Sequence, residues 1–150
     1  MSEKTVVFED GNAYEKMTGV WSQIVGKEFI EWLNTAGGLS WVDIGCGTGA
    51  FTAQVAELCS PSHLLGIEPS EAQIEFARKR PMAHQVTFQT GDATALACES
   101  SSFDVATMAL VLYFLHDPAL GMTEMKRVVK PGGIIATYDW DIPGGGLPHE

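Results

Sequence analysis

WVDIGCGTGAFTAQVAEL, residues 41–58, decides the fold. An apolar run containing one acid, Asp43, leads into three glycines on alternate positions, Gly45, Gly47 and Gly49. Phe51, Val55, Ala56 and Leu58 then recur at helical spacing up to a stop at Pro61. Glycine permits positive φ and lets another molecule approach the main chain with no Cβ between them. The start of a helix adds unpaired N–H groups and partial positive charge. One glycine between a strand and a helix is a tight turn; three on alternate positions point to a bound ligand.

The flanking sequence extends the same alternation. Residues 12–35 read as a helix carrying Ala13, Met17, Val20, Ile24, Phe29, Trp32 and Leu33, widened by Trp21 and Val25 and closed by Gly37-Gly38. HLLGIE at 63–68 reads as a second strand. Ser70 to Gln73 fits a capping box whose helix runs to about Arg80, before Pro81. QVTFQ at 85–89 and FDVATMALV at 103–111 read as the third and fourth strands. Asp117-Pro118 opens a helix carrying Leu120, Met125, Val128 and Val129; Lys130-Pro131-Gly132-Gly133 ends it, and IIATYDW at 134–140 is a fifth strand. Near-continuous apolar strands alternating with helices predict a doubly wound, Rossmann-like α/β fold with a mainly parallel sheet. Ligands of such sheets bind at the carboxyl ends of the strands, where the winding reverses. Residues 1–38 are expected to form a helical segment packing over that site, and residues 39–150 the sheet core.

The 150 residues suit one domain, and 45% hydrophobic against 19% charged residues is a globular balance. A net charge of −10 argues against polyanionic partners such as nucleic acid and suits a cationic cofactor or a neutral substrate. The one basic cluster, RKR at 78–80, reads as cations at a helix C-terminus. Three cysteines without CxxC spacing argue against a disulfide framework or a metal site, and for a reducing cytoplasm. The opening MSEKTVVFEDG has no signal-peptide character, and VATMALVLYFL at 105–115 is shorter than the ~20 residues that span a bilayer.

Two acids fall in register with the glycines. Glu68 ends the second strand, 23 residues beyond Gly45. In nucleotide-binding βαβ units an acid near that spacing holds a ribose diol; the alternative is a solvated strand-end carboxylate. Asp92, in TGDA at 90–93, follows the third strand at the same edge, placed to accept from an exocyclic amine or to form an Asx turn.

VDIGCGTG, IEPS, GDA, FDV and VKPGG together resemble the class I S-adenosylmethionine-dependent methyltransferases over about residues 40–140. The resemblance is nearest to the bacterial small-molecule type grouped with the ubiquinone and menaquinone biosynthesis enzymes. YEKMTGVWSQ is similar to a YExxMGRWS segment of some of these proteins, with Val20 in place of the arginine. The resemblance implies that Asp43 and the backbone at Gly45 face the amino-acid part of the cofactor, with Gly47 and Gly49 shaping the loop. It gives the ribose hydroxyls to Glu68, the adenine border to Pro69, and the adenine edge to Asp92 and the Ala93 N–H. Met108 and Leu110 would line the methionine and sulfonium region, and Tyr14 would close over the cofactor.

The implied reaction moves a methyl group to a small-molecule acceptor by in-line displacement, leaving S-adenosyl-L-homocysteine. An NAD(P)-dependent oxidoreductase domain is the first rival; Asp43 and the G-x-G-x-G spacing, in place of G-x-G-x-x-G, count against it. The second rival is a non-catalytic adenosylmethionine-binding module. No obligatory catalytic residue is legible. His116 is the best-placed base, or else a loop histidine beside an N-cap; Tyr113 lines the acceptor site or joins the core; Cys46 reads as packing. The family's sheet carries a further antiparallel hairpin for which no sequence remains here. The expectation is a core lacking the last two strands: either a piece of a longer protein, or a sheet whose edge a partner completes, a homo-oligomer included.

Overall fold

Five parallel strands form the sheet, in the order β3-β2-β1-β4-β5. The computed structural model describes residues 11–141 and 143, with side chains from residue 19 onward. Its elements are α1 (Gly11–Leu33), β1 (Ser40–Ile44), α2 (Ala50–Leu58), β2 (His63–Glu68), α3 (Glu71–Arg78), β3 (Thr87–Thr90), β4 (Phe103–Ala109), α4 (Pro118–Val128) and β5 (Val129–Tyr138). Short 3-10 segments lie at Pro81–Gln85 and Leu112–Phe114. The chain winds outward from β1 through β2 to β3, then crosses back so that β4 pairs with the other side of β1. That reversal makes the fold doubly wound, as the alternation of elements predicts.

Strand parity divides the core. Val42, Ile44, Leu65, Ile67, Ala106 and Met108 face α4, where Met125 and Val128 meet them. Trp41, Leu64 and Val105 face the other way, onto Phe29 and Ile30 of α1 and Phe51 and Val55 of α2. Gly66 shares that second face, and its missing side chain leaves room for the Phe88 ring, on which Ile74 and Ala77 of α3 pack. Each buried side chain of this kind contributes about 1.5–3 kcal/mol by leaving water.

Local signals placed most elements, and three details differ. Helix α3 begins at Ser70, whose hydroxyl accepts the Gln73 N–H. The return arm of the expected box, however, comes from Glu68, whose Oε2 accepts the Ser70 N–H at 2.7 Å; the side chain of Gln73 is released toward Gly47. Lys130-Pro131-Gly132-Gly133 does not separate helix from strand. Val129 already pairs with Phe103, and the next register pair is Val105 with Ile134, so the intervening residues bulge from β5, with Gly132 at φ 81°. Helix α4 follows its signal: Asp117 Oδ1 accepts the Leu120 N–H at 3.0 Å, a cap worth about 1 kcal/mol over alanine.

In α1 the apolar stripe is only partly used. Val20, Trp21, Ile24, Val25 and Trp32 are exposed, whereas Gly26, Phe29 and Ile30 are buried. Contact is made along 26, 29, 30 and 33, one true helical face, because Gly26 is bare enough to lie against Gln54 and Phe51 of α2.

Candidate functional site

A cavity of about 420 Å³ opens at the carboxyl ends of β1, β2 and β4, where the winding reverses. Gly45, Cys46, Gly47 and Thr48 form one border, Glu68 and Pro69 a second, Gly91, Asp92 and Ala93 a third, and Ala109, Leu110 and Val111 a fourth. Ser22 and Gln23 of α1 reach it from outside the sheet. The Gln23 carbonyl accepts from Gln54 Nε2 at 2.8 Å, tying that part of α1 to α2.

The three glycines have positive φ, at 73°, 54° and 81°, yet serve different ends. A Cβ on Gly45 would meet Val111 Cγ2 at 2.5 Å and Cγ1 at 2.7 Å; one on Gly49 would meet Ala77 at 3.0 Å and Phe88 at 3.2 Å. Those two glycines serve close packing. A Cβ on Gly47 would meet only Gln73 Oε1, at 3.1 Å, and both residues border the cavity. Gly47 is therefore the position where bare backbone faces open space. The loop is fixed from below: the Gly45 and Cys46 N–H groups both donate to the Ile67 carbonyl, at 2.7 and 2.9 Å.

Glu68 is half-buried at the cavity border. Burial pushes its carboxyl above the usual range, while N–H groups of Ser70 and Gly47 pull it back down. One carboxylate thus joins the glycine loop to the start of α3. Asp92 is exposed, and its Oδ1 accepts both the N–H and the hydroxyl of Thr94 at 2.8 Å. Those bonds lower its pKa and make the Asx turn, and the residue also borders the cavity. Leu110 sits at φ 60°, a costly conformation for leucine, pinned by its N–H to the Tyr138 carbonyl at 2.9 Å.

Other residues named from sequence lie elsewhere. Asp43 is fully buried under α2, accepting from Thr52 Oγ1 at 2.6 Å and Thr107 Oγ1 at 3.3 Å. Burial pushes its pKa up to about 7 against those two hydroxyls. It ties β1 to α2 and to β4 and does not line the cavity. Met108 points to the α4 face with no exposed surface, because strand parity turns it away from the glycine loop. His116 is exposed and outside the cavity lining. Tyr113 is not part of the core: it is exposed, edge-on to Phe114 at 5.3 Å. The side chain of Tyr14 lies outside the described residues. Cys46 lines the cavity, its thiol pushed up by burial and by the carboxylates of Asp43 and Glu68.

Sequence reading missed the aromatic wall. Phe51 and Tyr138 border the cavity 6.0 Å apart, and Phe29 backs Tyr138 at 4.7 Å. The available signal was position: Phe51 is in the first turn of α2 and Tyr138 is the last residue of β5, both at the edge where ligands bind. Among the described lining residues there is no lysine, arginine or histidine, so Glu68 and Asp92 give the cavity a negative bias.

A family model described as a methyltransferase domain matches residues 42–137. The chain belongs to the class I S-adenosylmethionine-dependent methyltransferases. Its relatives include proteins named demethylmenaquinone methyltransferase. It is 36% identical over 110 residues to a demethylmenaquinone methyltransferase of Lactococcus lactis, covering 71% of this chain and 44% of that one. It is 30% identical over 126 residues to one of Staphylococcus aureus, covering 83% and 51%. Among solved structures, an S-adenosylmethionine-dependent methyltransferase of Thermotoga maritima superposes with a TM-score of 0.68 at 30% identity, covering 84% of this chain and 56% of that one. The chain thus spans about half the length of the curated relatives it matches. Among its described residues no helix is long and apolar enough to cross a membrane.

Proposed function

We propose that the chain binds S-adenosylmethionine in this cavity and that its methyl group passes to a small-molecule acceptor by in-line displacement. The observation that carries the reading is the pairing of Gly47, whose missing side chain opens onto the cavity, with a Glu68 carboxylate held beside it by two N–H groups. When bound, S-adenosylmethionine supplies an electrophilic methyl on a sulfonium. The residues present fit such a ligand: a carboxylate for a diol, a second acid in a turn at the adenine end, and a lining without cations to oppose a positive group.

In this reading Glu68 accepts from the ribose hydroxyls, Pro69 flanks the adenine, and Asp92 with the Ala93 N–H reads its edge. Gly45 and Gly47 admit the amino-acid part, and Leu110 borders the reacting end. Asp43 and Gly49 act from beneath, and Met108 by packing β4 onto α4. Phe51 and Tyr138 wall the acceptor side. Helix α1, through Ser22 and Gln23, closes the site against water. Holding two reactants in line in a dry pocket is worth about 7–11 kcal/mol. A base is needed only for acceptors that must shed a proton, and no step here is assigned to His116. The names of the Lactococcus and Staphylococcus relatives support a small, ring-bearing acceptor, which the aromatic wall suits.

Calorimetric titration tests the cofactor. S-adenosylmethionine and S-adenosylhomocysteine are expected to bind and NAD is not; the opposite pattern overturns the reading. Glu68→Gln keeps the shape and removes the charge, and is expected to weaken both ligands about 10-fold or more. Unchanged affinity would remove Glu68 from the ribose. Release of S-adenosylhomocysteine on adding candidate acceptors tests turnover.

A further inference from the structure

The basic cluster at 78–80 has a use that helix-end electrostatics does not explain. Arg78, in the last turn of α3, donates through Nη2 to the Phe88 carbonyl at 3.0 Å. Arg80 lies past the helix and turns to the glycine loop: its Nε donates to the Thr48 carbonyl at 2.7 Å and its Nη2 reaches Thr48 Oγ1 at 3.4 Å. Its guanidinium also sits over the Phe76 ring, 5.6 Å from the centroid. Thr48 is buried, borders the cavity, and lies between two glycines with positive φ.

Peptides between glycines lose more conformational entropy on being fixed than any others. A charged donor on the Thr48 carbonyl sets the orientation of the Thr48–Gly49 peptide, in the loop whose Gly47 faces the ligand. We infer that Arg80 is a positioning residue that holds the glycine loop in its cofactor-binding conformation before the cofactor arrives. The inference rests on the proposed use of this cavity. The planar fork is what the geometry needs: one face rests on Phe76 while two nitrogens reach two oxygens of one residue. A lysine ammonium has no such face and no second fixed donor. Preorganisation of this kind lowers the cost of binding without adding a contact to the ligand.

The test uses the full chain with Arg80→Lys and Arg80→Ala, read by amide hydrogen exchange and by titration with S-adenosylmethionine. Both variants are expected to exchange faster at the amides of residues 45–49 while β1 and β4 keep wild-type protection. Affinity is expected to fall roughly tenfold in Arg80→Ala, with at most partial recovery in Arg80→Lys. Wild-type exchange in the loop overturns the inference, whatever the ligand does. So does a loss of protection spread equally through β1 and β4, which would mark Arg80 as a general structural contact. Failure of the wild-type chain to bind S-adenosylmethionine would instead overturn the proposed function, and loop exchange would still decide whether Arg80 sets the loop.

Discussion

Gly45→Ala is expected to destabilise the fold by about 2–5 kcal/mol and to weaken S-adenosylmethionine binding by more than tenfold. Two separable costs add. Gly45 has φ 73°, and an alanine held there costs about 1–2 kcal/mol. The added Cβ would also come within 2.5 and 2.7 Å of the two Val111 methyls, an overpacking worth about 1–3 kcal/mol. Val111 follows the strained Leu110 and borders the same cavity, so relief of the clash moves the site itself. In the double variant Gly45→Ala/Val111→Ala the steric part is expected to return and the backbone part to remain, giving a favourable coupling energy between the two positions. Urea denaturation of the four proteins measures it. Purely additive effects would mean that the close approach of Gly45 to Val111 carries no energy. Gly47→Ala provides the contrast: φ is 54° and the Cβ meets only Gln73 Oε1, so binding is expected to suffer more than stability.

The second large effect is a pH dependence from Asp43. Its carboxyl has no exposed surface to speak of, and burial raises its pKa from 3.8 to about 7 despite hydrogen bonds from Thr52 and Thr107. In the unfolded chain the group ionises near its ordinary value, while the folded chain retains the proton until about pH 7. Between those limits the folded state binds more protons than the unfolded state, so stability falls as pH rises. The contribution is fully present below about pH 4, declines through the interval and is gone above about pH 7. A shift of this size corresponds to roughly 4 kcal/mol.

Other acids titrate over the same range, so the measurement is the difference between the wild type and Asp43→Asn from pH 4 to 8. Asparagine keeps the shape and a hydrogen-bonding amide but has no proton to lose. The wild type is expected to lose about 4 kcal/mol relative to Asp43→Asn across the interval. Parallel stability curves would show that Asp43 ionises in the folded protein as freely as in water. The burial has a structural return: one carboxyl group ties β1 to Thr107 of β4 and to Thr52 of α2.

Much of this was legible before any coordinates. HLLGIE pairs as β2 over the span its composition marks, because an apolar run ending in an acid has one way to lie in a covered sheet. Ser70 and Asp117 cap helices where they stand, since capping depends on residues within one turn. The strand bulge at Lys130 to Gly133 was not legible: KPGG reads as a turn, and only pairing with β4 shows strand on both sides of it. Nor was the exposure of Val20, Trp21 and Ile24, because periodicity shows that a helix has an apolar side but not how far along its length a neighbour extends.

The sequence by itself determined the alternation of strands and helices, the carboxyl edge at which a ligand would sit, and the positions of the glycines and of Glu68 there. These follow from local chemistry: period, caps and a backbone without Cβ atoms. Only the tertiary structure decided at which glycine an added side chain would enter the cavity and at which two it would meet protein. It also turned Asp43 and Met108 inward, brought Phe51 and Tyr138 together from distant elements, and carried Arg80 back to Thr48. Those outcomes depend on which atoms of remote segments fill the same few ångströms, and spacing along one chain does not encode that.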